Sequence, residues 1–183
     1  MPVNAPNDNL EMLAPSFNLK NVDNNFLTLE NIKGENGTVI AFICNHCPYV
    51  KAIASRLKRD ADELLLSSIN TIAIMSNDVI NYPEDSFEKM KIFSDKYKFN
   101  FPYLYDETQE VAIKYNAVCT PDFFGFDKNL NLKYRGRIDS GVMNSKKNNE
   151  VKRELFNAMI KIKDEGVGPT NQMNSVGCSI KWK

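Results

Sequence analysis

Two cysteines at the junction of a predicted strand and a predicted helix constrain this chain more than any other feature. Residues 38–43 form a short apolar run rich in β-branched side chains, which is typical of a buried central strand. Cys44 and Cys47 follow at C-x-x-C spacing, and Pro48 then opens an amphipathic helical stretch. A C-x-x-C pair on a strand-to-helix turn, inside a β/α pattern, predicts a redox-active dithiol.

The position of this pair suits thiolate chemistry. A thiol at a helix N-terminus faces unpaired backbone N–H groups and the positive end of the helix dipole. Such thiols have pKa values of roughly 3.5 to 7.5 in place of about 8.5. His46, the single histidine of the chain, lies between the cysteines and as imidazolium would favour the thiolate further. We therefore predict that Cys44 is the exposed nucleophile and Cys47 the buried resolving partner, one turn into the helix.

Other interpretations of these residues stay open at this point. The two cysteines could be inert buried thiols, and His46 could be a loop histidine without a role. A zinc half-site is disfavoured, because structural zinc takes four ligands and a second cysteine pair at close spacing is missing.

Composition limits the class of protein. The 183 residues are 43% hydrophobic and 25% charged, which is typical of a soluble globular domain. Lysine plus arginine and aspartate plus glutamate both number 23, so charge offers no argument for binding nucleic acid or an anionic membrane. Neither a signal peptide nor an apolar run of about 18 residues is visible. We expect a cytoplasmic protein without a bound cofactor or metal.

The hydrophobic pattern predicts an α/β chain. In order it indicates a β-hairpin, a βαβ unit, a helix, a short strand and helix, and a final ββα unit. We interpret residues 1–183 as one domain with an extended arm over about 1–14 and a tail over about 169–183. Asp85 is predicted to cap a helix, and the last helix is predicted over about 147–163. The solvated face of the helix after Pro48 is predicted to carry Lys51, Arg56, Lys58, Arg59, Asp60 and Asp62.

These features resemble the peroxiredoxin-like branch of the thioredoxin superfamily, the redoxin or AhpC/TSA group. The segments that carry the resemblance are 14–17, 44–50, 119–124, 134–139 and 177–182. The resemblance implies a thioredoxin-like fold, with a mixed central β-sheet flanked by helices. It also implies that Pro121 is a cis-proline facing the redox loop, which leaves Thr120 as a strand edge for a partner peptide. An ordinary trans turn proline is the alternative.

The chain departs from its relatives in the redox loop. Asn45-His46 stands where thioredoxin has Gly-Pro, and an x-His pair is similar to the more oxidising disulfide oxidoreductases. Residues 38–43 lack the buried acid of thioredoxin. Peroxiredoxins place Thr or Ser three residues before the peroxidatic cysteine; if Cys47 is aligned there, Cys44 fills that slot. This departure weighs against an efficient peroxidase.

Two further cysteines are candidate accessory redox residues. Cys119 precedes Thr120-Pro121 and is expected near the redox loop, from which it could relay a disulfide to Cys178 in the tail. The alternative for both thiols is simple packing. Arg135 and Arg137 could face the site, as arginines do in peroxidases, but they are interpreted as strand-surface residues. The aromatic residues expected in the core or in hairpin packing are Phe123, Phe124 and Phe126.

We therefore predict a thiol–disulfide oxidoreductase that acts through Cys44 and Cys47. Its substrate would be a disulfide-containing protein or a small thiol or peroxide, and an external thiol reductant would regenerate it. The alternatives are a thiol-dependent peroxidase, which oxidises one cysteine to sulfenic acid, and a redox sensor without turnover.

Overall fold

A seven-stranded mixed sheet forms the centre of the molecule. The computed structural model describes residues 2–5, 11–143 and 151–183. The strands in this part of the chain are β1 (Pro2–Asn4), β2 (Asn18–Asn21), β3 (Phe26–Thr28), β4 (Gly37–Phe42), β5 (Ile69–Met75), β6 (Tyr103–Tyr105), β7 (Cys119–Thr120), β8 (Asp122–Phe126), β9 (Leu132–Gly136) and β10 (Val176–Ser179). The α-helices are α1 (Leu29–Ile32), α2 (Pro48–Leu65), α3 (Phe87–Tyr97), α4 (Glu110–Lys114) and α5 (Glu154–Glu165).

The order of strands in the main sheet is β3-β2-β6-β5-β4-β8-β9. Strand β4 runs parallel to β5, and β5 runs parallel to β6. The remaining neighbours in this sheet are antiparallel, including the N-terminal hairpin of β2 and β3. The predicted mixed sheet and N-terminal hairpin are therefore confirmed. Helix α2 makes the crossover between β4 and β5, which parallel pairing requires.

The central strand β4 is apolar throughout because it is covered on both faces. Val39 and Ala41 pack with residues of α2, α3 and α5, whereas Ile40 and Phe42 pack with α4 on the other face. Successive side chains of a strand point to opposite faces, so a strand between two helical layers needs apolar residues at every position. The three predicted core phenylalanines, Phe123, Phe124 and Phe126, are all fully buried.

The arm and the tail form a second sheet. Its three strands are β1, β10 and β7, all antiparallel, so the tail strand β10 lies between the N-terminal arm and β7. The register places Cys178 opposite Thr120 and Ser179 opposite Cys119. The tail, which the sequence leaves without a partner, is thus a structural strand next to the predicted redox loop.

Two predicted helix starts are wrong. Asp85 ends a 3-10 turn, Pro83–Asp85, and Ser86 caps α3 by accepting a hydrogen bond from the Lys89 N–H at 3.4 Å. The last helix begins at Glu154; residues 151–153 are not helical, and 147–150 lie outside the described residues. Its predicted end is confirmed, since Gly166 takes the left-handed conformation with φ of 74°.

Some charged residues predicted at the surface are buried. Arg56 and Asp60 are only 5% and 1% exposed. The guanidinium of Arg56 donates to Asp139, with Nε to Oδ2 at 2.6 Å, while Asp60 accepts from Arg59 and Arg153. Hydrophobic periodicity does not detect such pairs, because each charge is compensated by a residue from another element.

Arg135 also differs from its predicted surface position, because it is 3% exposed and pairs with Asp122. Arg137 follows β9, and its partly exposed side chain pairs with Glu154.

Among the described helices, none combines the length and apolar character that crossing a bilayer would require.

Candidate redox site

The two cysteines of the C-x-x-C pair lie at the N-terminal end of α2. Cys47 is the N-cap residue and Pro48 is the first residue of the helix, so Cys44 precedes the helix by a turn of loop. Both cysteines are fully buried, and all four cysteines of the chain are free thiols. The prediction that Cys44 is exposed is therefore wrong. The predicted helix start at Pro48 is confirmed, so Cys47 lies at the N-cap and not one turn into the helix.

The environment of Cys47 favours its thiolate. The pKa of Cys47 is lowered to about 5, first by a hydrogen bond from the Cys44 thiol and then by the Cys178 thiol and the backbone N–H groups of Val50 and Cys178. Burial acts against these donors. The carbonyl oxygen of Thr120, 3.2 Å from the Cys47 sulfur, favours the thiol form. Because the donors outweigh these two effects, Cys47 is the cysteine that holds negative charge.

Cys44 has the opposite character. Its hydrogen bond to the Cys47 sulfur, its burial and the nearby Asp85 carboxylate raise the pKa of Cys44 well above its ordinary value. The Thr120 hydroxyl, 3.3 Å from the Cys44 sulfur, offsets only part of this rise. The predicted activation of Cys44 is therefore wrong: the free N–H groups of the helix act on the N-cap cysteine, not on the one three residues earlier.

Asp85 organises the redox loop, and the sequence interpretation missed this role. Its buried carboxylate accepts from the backbone N–H of Asn45 at 2.8 Å and of His46 at 3.2 Å. The Asn77 side-chain amide donates to it at 2.8 Å. Asn45 is held further by the Tyr103 hydroxyl, which donates to its side-chain oxygen at 2.9 Å. An aspartate beside a serine before a helix looks like an N-cap, and no local pattern indicates a contact about forty residues away.

His46 contacts Asp85 more closely than either cysteine. Its Nδ1 lies 2.6 Å from the Asp85 Oδ2 and 4.0 Å from the Cys44 sulfur. Its ring stacks on Tyr82 with centroids 5.9 Å apart. With Nδ1 directed at a carboxylate, any positive charge on the imidazole is balanced locally. The position is therefore suited to holding the loop, and its predicted tuning of the thiolate stays a prediction.

Three potential metal-ligand atoms lie close together at this site. Within the described part of the chain, Cys44, His46 and Asp85 place one ligand atom each within 4.8 Å of one another. Structural zinc takes four ligands in tetrahedral geometry. Here the imidazole and the carboxylate are already hydrogen-bonded to each other. The geometry is that of a hydrogen-bonded loop.

The Thr120–Pro121 peptide bond is cis, as the resemblance implies. The strand edge at Thr120 is not open, however. Strand β10 pairs with it, and Cys178 lies directly opposite Thr120. The edge predicted to receive a partner peptide is therefore occupied by the chain's own tail. A partner peptide could pair here only after β10 has moved away.

The register also decides between the two accessory cysteines. Residues directly opposite each other in an antiparallel pair share one face, and successive residues alternate faces. Cys178 thus shares a face with Thr120, whereas Cys119 shares the other face with Ser179. The Cys119 thiol donates to the Pro121 carbonyl at 3.6 Å, and burial strongly raises its pKa. The register thus does not support the possible relay between Cys119 and Cys178 and fits the packing alternative for Cys119. Cys178 contacts Cys47, with their sulfurs 3.1 Å apart.

Gly177 allows the tail strand to approach the cis-proline segment. A Cβ at this position would lie 2.0 Å from the Thr120 carbonyl oxygen. We expect Gly177→Ala to displace β10 and to expose Cys47. Overpacking of this kind costs roughly 1 to 3 kcal/mol, and each ~1.4 kcal/mol changes an equilibrium about tenfold. The alkylation rate of Cys47 by iodoacetamide, followed by mass spectrometry, should rise by about tenfold or more.

Gly166→Ala is the matched control for this substitution. Gly166 also has a special conformation, with φ of 74°, but no atom lies within 4 Å of its Cβ position. The control should lower stability without changing the alkylation of Cys47. A folded Gly177→Ala protein whose Cys47 reacts at the wild-type rate would show that β10 does not shield the site.

Comparison with known proteins identifies the family that this chain matches. Residues 11–135 match the AhpC/TSA family. A solved structure of an uncharacterized conserved protein from Geobacillus kaustophilus is similar to the chain, with 45% sequence identity and a TM-score of 0.92. That similarity covers 100% of this chain and 97% of the other. No curated protein sequence matches the chain.

Two more solved structures extend the comparison. A hypothetical protein from Sinorhizobium meliloti 1021 has 32% identity and a TM-score of 0.89, covering 98% of both chains. A secreted Mycobacterium tuberculosis disulfide oxidoreductase homologous to E. coli DsbE has 19% identity and a TM-score of 0.54. It covers 64% of this chain and 80% of its own, and at this identity the likeness shows the fold alone. The fold is thus thioredoxin-like.

Proposed function

The chain belongs to the AhpC/TSA family, and from that premise and the sulfur geometry we propose that it is a thiol–disulfide oxidoreductase. The observation that carries the proposal is the position of Cys47 at the N-terminus of α2, in hydrogen-bond contact with the Cys44 thiol, an arrangement that lowers the pKa of Cys47. A thiolate is the species that attacks a disulfide, and a neighbouring thiol is needed to release the product. Cys47 and Cys44 meet both requirements.

The reaction proceeds in two exchanges. The Cys47 thiolate attacks one sulfur of a partner disulfide, which forms a mixed disulfide and releases the other partner sulfur as a thiolate. Cys44 then loses its proton and attacks the Cys47 sulfur, so the second partner thiolate leaves. The partner has gained two electrons, and the chain holds a Cys44–Cys47 disulfide. An external dithiol returns the two electrons and restores both thiols.

Several neighbouring groups support these steps. The hydrogen bond between the two thiols raises the pKa of Cys44, which favours the protonated form of Cys44 in the resting state. The Thr120 hydroxyl contacts the Cys44 sulfur at 3.3 Å and can donate to it when it becomes a thiolate. The partner disulfide would reach Cys47 where β10 now pairs with Thr120. A disulfide-containing protein or small disulfide as substrate, and a cytoplasmic location, are part of this proposal.

Turnover with two substrates tests the function. The wild-type protein is assayed for reduction of insulin disulfides and for consumption of hydrogen peroxide, with dithiothreitol as the electron donor in both. We expect insulin reduction faster than the dithiothreitol blank and peroxide consumption at the blank rate. Cys119→Ser is the matched control, because its thiol is buried on the other face of the small sheet and its hydroxyl can donate to the same carbonyl.

The other outcomes contradict the proposal in different ways. Rapid peroxide consumption with insulin reduction at the blank rate would favour the peroxidase alternative, in which Cys47 becomes a sulfenic acid. If each protein molecule is oxidised once and neither assay shows turnover, the result would favour a redox sensor.

A further inference from the structure

Cys47 has a second thiol neighbour besides the one that the proposed function uses. The sulfur of Cys47 lies 3.1 Å from the sulfur of Cys178. Cys178 also donates its backbone N–H towards Cys47. The pairing of β10 with Thr120, and the close approach at Gly177, hold this contact in place. The strand pairing and the close approach at Gly177 therefore hold the Cys178 sulfur beside Cys47.

The three sulfurs differ in their access to solvent. Cys44 and Cys47 are fully buried, whereas Cys178 is partly exposed on the tail strand. A reductant that approaches from outside therefore meets Cys178 first. We propose that Cys178 is a third redox cysteine, which forms a disulfide with Cys47 and presents it to the external dithiol. This inference rests on the proposed function and adds the route by which electrons enter.

The exchange that forms this disulfide is balanced within the chain. After the partner has been reduced, Cys178 gives up its proton and attacks the Cys47 sulfur of the Cys44–Cys47 disulfide. Cys44 leaves and takes up one proton, so the number of electrons in the chain does not change. The external dithiol then attacks the Cys178 sulfur, and Cys47 leaves as a thiolate. The second sulfur of the dithiol displaces Cys178, which completes the return of two electrons.

Thiol acidity favours the last step of this route, in which the external dithiol attacks Cys178. In disulfide exchange the thiol with the lower pKa is the better leaving group. Attack on Cys178 releases Cys47, whose pKa is about 5, whereas attack on Cys47 would release Cys178, whose pKa burial and the Cys47 contact raise to about 11. The accessible sulfur is therefore also the one whose attack releases the better leaving group. Cys44 and Cys47, by contrast, are both fully buried.

Disulfide mapping after oxidation tests the inference. The full-length protein and its Cys44→Ser, Cys178→Ser and Cys119→Ser variants are oxidised with glutathione disulfide and digested for mass spectrometry. We expect a Cys47–Cys178 linkage in the wild type, in Cys119→Ser and, as the sole intramolecular linkage, in Cys44→Ser. The Cys178→Ser protein should hold only Cys44–Cys47. Its re-reduction by dithiothreitol should be slower than that of the wild type by about tenfold or more.

The outcomes separate this inference from the proposed function. A wild-type protein that forms Cys44–Cys47 alone, with Cys178→Ser re-reduced at the wild-type rate, would overturn the role of Cys178 and leave the dithiol mechanism standing. A wild-type protein that forms neither linkage would overturn both. The Cys119→Ser variant matches Cys178→Ser in chemistry and in sheet, so a slow step seen in both would reflect altered packing and would count against the inference.

Discussion

Replacing Cys47 by serine should lower the rate of insulin-disulfide reduction by roughly a thousandfold or more. Loss of a catalytic nucleophile can lower turnover by up to about a millionfold. The serine hydroxyl does not ionise near neutral pH and cannot form a mixed disulfide. Cys44→Ser should be affected less, since it keeps the Cys47 sulfur, a hydroxyl that can donate to it and the contact with Cys178. Initial rates of insulin reduction by the purified variants check this order. A Cys47→Ser protein that is more active than Cys44→Ser would show that Cys44 is the nucleophile.

Cys47→Ser should also change how the amount of thiolate in the protein depends on pH. Because the pKa of Cys47 is lowered to about 5, its thiolate is populated above about pH 5 and becomes protonated as the pH falls through that value. Thiolate ultraviolet absorbance in the wild type should therefore show a transition near pH 5, which Cys47→Ser lacks. The transition should persist in Cys119→Ser, whose thiol has a strongly raised pKa. A wild-type protein with no thiolate below pH 7 would contradict the assignment.

Replacing Asp85 by alanine should cause the largest loss of stability among single changes at this site. The substitution removes the buried acceptor of the Asn45 and His46 backbone N–H groups and of the Asn77 amide. Each buried donor left without a partner costs about 1 to 3 kcal/mol. We therefore expect the free energy of unfolding to fall by about 3 to 6 kcal/mol. Urea denaturation followed by circular dichroism measures this change.

Two further variants make the Asp85 experiment specific. Asp85→Asn keeps the shape and one acceptor oxygen, so its loss should be smaller than that of alanine. Asp127→Ala also removes a carboxylate that accepts from two backbone N–H groups, those of Asn129 and Asn131, but in an exposed turn where water can replace it. Its expected loss is about 1 kcal/mol or less. If Asp127→Ala and Asp85→Ala lose equal stability, burial of the network is not the cause.

Much of the fold could be predicted because local patterns and tertiary packing agree. The apolar run of β4 and the face of α2 that carries Val50, Ile53 and Leu57 have the periodicities of the elements that they form. The left-handed Gly166 ends α5 where a glycine is expected. Two of the errors concern Asp85 and Arg56, whose polar side chains are satisfied by residues distant in sequence. Local patterns carry no information about such partners.

What the sequence by itself determined is the chemistry available: two cysteines at a strand-to-helix junction and a Thr-Pro pair before a later strand. Both are local, since spacing and turn residues decide where a strand ends and a helix begins. Only the tertiary structure decided which sulfur is charged and which one meets solvent. Those properties follow from the N–H groups and thiols that converge on Cys47, from the Asp85 carboxylate beside Cys44 and from the tail strand that pairs with Thr120. Because the pKa and exposure of a thiol are set by atoms within a few ångströms, they depend on which distant segments the fold brings together.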